Sequence, residues 1–236
     1  MLQRAGLPSI ILVVIVWRGD KTEKEPFSLL VKLFIFGALT TVSAMVLGSL
    51  GEDAVLSLVD EESLVYVVID NFILTALIEE GGKYFVLKKA TWRHPAFNYT
   101  FDAVVYAVVA SLGFATVENI LYVMDEDISV AIMRGLLSVP GHVTDAIFMG
   151  CFYGAAKAAA EKGDRGRAKL NLRRALFIPV LLHGFYDFCL STGSDFFLLV
   201  FFAFEIIVTV LAVRTLRKLS REDRAIPAGE DAAGTH

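Results

Sequence analysis

The chain has 236 residues, of which 56% are hydrophobic, and its mean hydropathy is +0.60. Soluble globular domains contain about 45–50% apolar residues, so this composition excludes an ordinary water-soluble protein. The formal net charge of −4 gives no sign of the basic surface that nucleic-acid binding requires, and we expect no nucleic-acid partner. The two cysteines, Cys151 and Cys189, lie in apolar runs, where a thiol behaves as a small hydrophobic group.

Long apolar runs recur from one end of the chain to the other. About 20 residues of α-helix cross a ~30 Å hydrocarbon core, whereas a β-barrel would need alternating polar and apolar residues. We therefore predict an all-α, polytopic integral membrane protein of the cell membrane, in contact with lipid, with about seven transmembrane helices and a range of six to eight. The predicted segments are residues 5–17, 28–50, 65–88, 102–124, 129–158, 174–192 and 195–214.

Two features of these segments leave alternatives open. The first apolar stretch is short for a crossing. The fifth is longer than one crossing needs and contains the Pro140-Gly141 break. It is either an interfacial helix followed by a span, or one kinked helix that projects into the cytoplasm.

Lysine and arginine predict the orientation of the chain. They follow the first, third, fifth and last segments, whereas residues 51–64, 125–127 and 193–195 contain neither. Because cytoplasmic loops carry the excess of these residues, seven crossings would place the N-terminus outside and the C-terminus in the cytoplasm.

Several ionisable or amide side chains interrupt the apolar segments. An Asp, Lys or Arg at the centre of a membrane helix costs about 2.5–3.5 kcal/mol. These side chains must therefore face one another or a wet cavity, and such residues indicate a functional site. They are Glu79, Glu80, Lys83, Glu118, Asn119, His142, Asp145, His183 and Asp187.

Helical spacing supports their convergence. Lys83 follows Glu79 by four residues and Glu80 by three, so the lysine can neutralise either carboxylate on one helix face. Asp187 follows His183 by four residues and is placed to hold the imidazole ring in one tautomer.

The ordered motifs resemble those of the PrsW family of intramembrane proteases, which is related to the CAAX-prenyl-protease-like membrane proteins. The wider group typically carries Glu-Glu-x-x-x-Arg, and it has histidine where this chain has Glu118. The resemblance covers about residues 65–188. It rests on Glu79-Glu80-Gly81-Gly82-Lys83, Gly113-Phe114-Ala115-Thr116-Val117-Glu118-Asn119, a lone His142, and His183-Gly184-Phe185-Tyr186-Asp187.

The resemblance implies an intramembrane endopeptidase that cleaves a membrane-anchored protein, such as an anti-sigma factor, near the extracytoplasmic face. We expect a single transmembrane domain over residues 1–219 that contains the active site, and a disordered cytoplasmic tail over residues 220–236. The predicted catalytic residues are Glu79, Glu80, Glu118, His142 and His183, supported by Lys83, Asn119, Asp187 and Phe114.

Two chemistries fit these residues. In the first, Glu118, His142 and His183 bind a zinc ion, and a second glutamate accepts the proton of the attacking water. In the second, no metal is needed: a glutamate activates water directly, and a protonated histidine or Asn119 steadies the oxyanion. Either Glu79 or Glu80 is the base, and the sequence does not choose between them.

Two other functions remain open at this stage. A proton- or cation-coupled transporter would use the same Glu and His residues as a relay, although such carriers often show internal repeats and we find none. A scaffold or immunity protein would keep the fold while the site stays idle.

Overall fold

The computed structural model describes residue 16 and residues 19–125 and 128–227. This part of the chain is helical, without a β-strand, so the all-α prediction is confirmed. A short helix, a π-helix and a second α-helix follow one another directly between residues 64 and 91. The elements are α1 (Phe27–Leu56), α2 (Leu64–Ile69), the π-helix (Asp70–Leu77), α3 (Ile78–Thr91), α4 (Asp102–Asp125), α5 (Ile128–Glu161), α6 (Arg165–Ser191) and α7 (Asp195–Arg221).

The described helices overlap the predicted apolar segments from the second onward, but several extend beyond them. Helix α1 ends at Leu56 rather than residue 50, α6 begins at Arg165 rather than residue 174, and α7 ends at Arg221 rather than residue 214. The fifth segment forms a single 34-residue helix, α5, with Pro140 inside it, so the alternative with a separate interfacial helix is wrong. The first predicted segment, residues 5–17, lies outside the described residues apart from Val16.

Three of the described helices are long and apolar enough to cross a membrane: Phe27–Leu56, Asp102–Tyr122 and Asp195–Arg221. The predicted count of about seven is therefore not confirmed. Helices α5 and α6 are long, but charged residues interrupt them, and α6 begins with a strongly basic turn. The π-helix divides the region between residues 64 and 91 into short elements.

Helix α4 is the centre of the bundle. Its most apolar window is 72% buried, against 33% for α1 and 17% for α7. Large apolar side chains such as Leu39 on α1 and Leu199 on α7 remain exposed. Broad exposed apolar surface marks an interaction site, and on these two helices it is suited to lipid.

Glycines let the neighbouring helices touch α4 backbone to backbone. A Cβ atom on Gly37 of α1 would lie 2.0 Å from the carbonyl oxygen of Ala110, and one on Gly113 of α4 would lie 2.1 Å from that of Phe34. Gly150 of α5 makes a similar approach, with its Cβ position 2.5 Å from the Cα of Val104. Small residues at helix crossings are typical of membrane bundles, where close packing drives association.

The start of the predicted tail contacts the segment that precedes α4. Asp223 accepts hydrogen bonds from the backbone N–H of Phe101 (2.9 Å) and the hydroxyl of Thr100 (3.1 Å). The N–H of Ile226 donates to the carbonyl of Asn98 at 2.6 Å. These bonds satisfy polar groups just before α4, which the composition of the tail does not reveal. Residues 228–236 lie outside the described part of the chain.

The glycine contacts predict a stability difference between two substitutions on α1. Gly37→Ala should destabilise the protein by about 1–3 kcal/mol, the usual cost of overpacking, because the added methyl meets a backbone carbonyl that cannot rotate away. Gly48→Ala places its Cβ 3.7 Å from the nearest carbonyl oxygen and should be tolerated. Thermal unfolding in detergent measures both, and equal unfolding temperatures would contradict the packing described.

Candidate active site

Four helices bring the predicted polar residues to one place. The carboxylates and imidazoles lie within hydrogen-bond or ion-pair distance of one another, although their positions in the chain span more than 100 residues. Helix α3 supplies Glu79, Glu80 and Lys83, α4 supplies Glu118, α5 supplies His142, and α6 supplies His183 and Asp187.

Lys83 lies at the centre of this cluster and is only 1% exposed. Its Nζ atom is 2.7 Å from Glu80 Oε1, 3.1 Å from His142 Nδ1 and 3.6 Å from Glu79 Oε2. The same atom lies 4.0 Å from the centre of the Phe114 ring, which adds a cation–π contact. One ammonium group therefore compensates the buried carboxylate of Glu80 and the partly buried carboxylate of Glu79.

Carboxylates hold the His183 ring from both sides. Its Nδ1 is 2.9 Å from Glu80 Oε1, and its Nε2 is 3.1 Å from Asp187 Oδ2 and 3.9 Å from Glu79 Oε2. Such contacts fix the orientation of an imidazole. Asp187 thus has the position that the spacing on α6 predicts.

The His142 ring links Lys83 to Glu118. An ammonium group can only donate, so Nδ1 accepts from Lys83 and the protonated Nε2 donates to Glu118 Oε2, 3.0 Å away. The ring also packs edge-on against Phe114 and His183, with centroid distances of 5.6 and 5.3 Å. These contacts bring the two histidines together at the centre of the bundle.

The π-helix leads directly into the glutamate pair. π-helices are rare and often mark functional sites. Here the π-helix places Asn71 and Thr75 beside Glu79 in the wall of a cavity. Helix α6 packs closely against it, because a Cβ on Gly184 would lie 2.5 Å from the Phe72 ring.

Two cavities meet at the cluster. The first, of about 360 Å³, is lined by both histidines and is called the inner cavity here. The second, of about 380 Å³, extends to α1 and is called the lateral cavity. Four residues line both of them: Thr75, Glu79, Glu118 and Tyr122. Glu79 and Glu118 are thus the carboxylates that a molecule in either cavity would meet.

The residues of the cluster fit a metal ion. Ligand atoms of Glu79, His142 and His183 lie within 4.8 Å of one another, and two histidines with one glutamate form a known catalytic zinc ligand set. Glu79 Oε2 is buried and makes no hydrogen bond in the described structure, so it has the capacity for a ligand bond. The sequence-based set of Glu118, His142 and His183 differs from this one by a single carboxylate. Glu118 contacts the Nε2 of His142. Among the described residues, two groups of three have ligand atoms within 4.8 Å of one another, and Glu118 belongs to neither.

Asp145 is the residue that the sequence reasoning left out of the site. It is 7% exposed, lines the inner cavity, and forms a second compact group with Glu80 and His183. The available signal was its spacing, because Asp145 follows His142 by three residues and so shares its helix face.

Asn119, like Lys83, is a supporting residue that lines neither of these two cavities. It is 2% exposed on α4, next to Glu118. Its suggested action on an oxyanion stays a prediction.

Comparison with known proteins gives a consistent result. The sequence profile described as "PrsW family intramembrane metalloprotease" matches residues 25–214. The protein named Protease PrsW of Oceanobacillus iheyensis is 34% identical over 215 residues, which cover 91% of this chain and 94% of the relative. Protease PrsW of Geobacillus kaustophilus is 33% identical, covering 78% of this chain and 76% of the relative, and Protease PrsW of Bacillus subtilis is 32% identical, covering 85% and 88%. No solved structure matches the chain.

Proposed function

Because this chain belongs to the PrsW family of intramembrane proteases and is a peptidase, we propose that it hydrolyses a peptide bond in a membrane-anchored protein near the extracytoplasmic face. An anti-sigma factor is the proposed type of substrate. The observation that carries this proposal is the position of Glu79 and Glu118, which line both cavities beside two histidines. The comparisons do not favour the alternative of a coupled transporter.

Glu79, His142 and His183 are the residues that would hold a zinc ion. Each histidine would then present an unprotonated nitrogen to the ion, so His142 would give up one of its ring contacts with Glu118 and Lys83. His183 would give up one of its ring contacts with Glu80 and Asp187. When bound there, the ion would supply Lewis acidity for the scissile carbonyl and the attacking water. Glu79 suits this role because its Oε2 atom is buried without a hydrogen bond, and because His183 Nε2 lies 3.9 Å from it.

Glu118 is the proposed proton acceptor. Its carboxylate borders both cavities, and its Oε2 atom lies 3.0 Å from His142 Nε2. A water molecule in the cavities beside Glu118 would be within reach of a base that faces the substrate, as general base catalysis requires. This proposal exchanges the roles suggested by the sequence, in which Glu118 was a ligand and Glu79 or Glu80 was the base.

Glu80 and Lys83 are positioning residues in this proposal. Both are 1% exposed, and neither lines the inner or the lateral cavity. Glu80 Oε1 contacts Lys83 at 2.7 Å and His183 at 2.9 Å, so it fixes the lysine and one imidazole together. Lys83 in turn donates to His142.

The lateral cavity is the proposed route for the substrate. It is lined by Ala44, Met45 and Gly48 of α1 and by Leu74 of the π-helix, and Met45 is 56% exposed. A single-span substrate could approach through lipid on this side and reach Glu79 and Glu118 where the two cavities adjoin. The lateral cavity lies near the outer face if the chain has the proposed orientation, with the N-terminus outside and the C-terminus in the cytoplasm.

Zinc content and proteolysis should respond differently to two matched substitutions. Glu79→Gln should lose both bound zinc and cleavage, because it removes a ligand. Glu118→Gln should keep zinc and lower the cleavage rate by about 10²–10⁴-fold, the usual contribution of a general base. Purified protein in detergent, a single-span anti-sigma factor as substrate, and elemental analysis provide the measurements.

Glu161→Gln is the matched control, since Glu161 pairs with Lys157 at the end of α5 and lines neither cavity. It should keep both zinc and cleavage. Zinc lost from the Glu118 variant and retained by the Glu79 variant would restore the sequence-based roles. Full cleavage by both variants would show that the hydrolytic site is elsewhere.

The proposed substrate route predicts a position-specific block on α1. Ala44→Trp should fill the lateral cavity and raise KM for a single-span substrate by about tenfold or more, because a 1.4 kcal/mol loss of binding is a tenfold change. Val46→Trp adds the same ring to a lipid-facing position, 55% exposed, and should leave KM unchanged. Equal kinetics for the two variants would exclude approach through this cavity.

A further inference from the structure

A third cavity lies at the other set of helix ends, where α5 ends and α6 begins. Its volume is about 460 Å³, and its walls come from α5, α6, the last turns of α7 and the ordered part of the tail. It contains none of the residues assigned to proteolysis. Leu219, in its wall, lies two residues before the end of the apolar helix Asp195–Arg221, so the cavity is placed at the depth where a membrane span ends.

The lining of this cavity is rich in positive charge. Two carboxylates are also present, but both have other contacts: Asp164 accepts a hydrogen bond from the backbone N–H of Arg167 at the start of α6, and Glu222 lies 4.0 Å from Lys218. The cationic side chains make no ion pair within the described chain, and together with the two carboxylates they leave a net charge of +2. They are Lys162, Arg167, Arg174 and Arg224.

The deeper wall of the cavity is apolar. It is formed by Cys151, Phe152 and Ala155 of α5 together with Leu219 of α7. From Cys151 to Lys162 the helix rises by about 16 Å, at about 1.5 Å per residue. The cavity therefore has cationic side chains at its opening and a deeper apolar wall. This wall is long enough to cover several methylene groups of an extended chain.

Asn171 indicates a polar ligand at the boundary between the cationic side chains and the apolar wall. Its side chain lines the cavity and is only 6% exposed. No hydrogen-bond partner for it occurs among the described residues. Its amide faces the cavity, where it can donate to an oxygen of a molecule held there.

We propose that this cavity binds an anionic phospholipid, with the phosphate at the arginines and Asn171 and one acyl chain along the α5 wall. Guanidinium groups suit phosphate oxygens because they donate in pairs, and basic pockets between membrane helices are suited to anionic headgroups. The apolar wall favours a lipid over free phosphate, which would leave that surface uncovered. The tail closes the site: the carbonyl of Arg224 accepts a hydrogen bond from Thr100 at 3.1 Å, and this places Arg224 at the mouth.

Matched charge removals on α6 test the proposal. Arg167→Gln with Arg174→Gln removes two lining charges, and Lys169→Gln with Arg173→Gln removes two exposed charges of the same helix that do not line the cavity. Native mass spectrometry of the delipidated full-length protein, titrated with dioleoyl phosphatidylglycerol or dioleoyl phosphatidylcholine, measures binding. We expect preference for the anionic lipid, weakened about fivefold per lining arginine and retained by the control.

A third variant separates the lipid from a free anion. Ala155→Trp fills the apolar wall without changing the charge and should weaken phosphatidylglycerol binding at least about fivefold. Thermal unfolding in phosphatidylcholine checks that every variant is folded. The proposal is overturned if the lining and control pairs bind phosphatidylglycerol equally, or if inorganic phosphate alone raises the unfolding temperature as much as phosphatidylglycerol does.

Discussion

The ion pairs of Lys83 are the interaction on which the rest of the site depends. An isolated charge inside a membrane bundle is costly, and this cluster contains five carboxylates, including Asp145 and Asp187, close to two imidazoles. Lys83 contacts Glu80, Glu79 and His142, and reaches helix α5 from helix α3. The ammonium group that compensates the carboxylates therefore also connects helix α3 to helix α5.

Close backbone packing places those helices near enough for such contacts. Gly37 and Gly113 let α1 and α4 touch, Gly150 does the same for α4 and α5, and Gly184 lets α6 approach the π-helix. Without these approaches, the short side chains of Asp145 and Asp187 would not reach the cluster. These close backbone contacts thus set the geometry of the polar cluster.

The sequence predicts the helices and most members of the site, because both follow from local rules. Apolar length locates the helices, although polar residues extend α1, α6 and α7 beyond their apolar segments. The i,i+3 or i,i+4 spacing gives the Lys83 and Asp187 contacts. It does not predict which glutamate faces the histidine pair, since that depends on the rotation of α4 against α5 and on the π-helix register. The contacts of Asp223 show the same limit. Their partners lie more than 100 residues away in the chain, so the composition of the tail does not predict them.

A double-mutant cycle on Lys83 and Glu80 tests the central claim, that a neutralised buried cluster holds the site together. Lys83→Met alone should destabilise the protein by about 3–5 kcal/mol, the cost of leaving a buried charge unpaired. Lys83→Met with Glu80→Gln should recover most of that loss, because the uncompensated carboxylate is gone. Chemical unfolding in detergent gives both values. A double variant as unstable as the sum of the two single variants would mean that the charges act independently, and the account would be wrong.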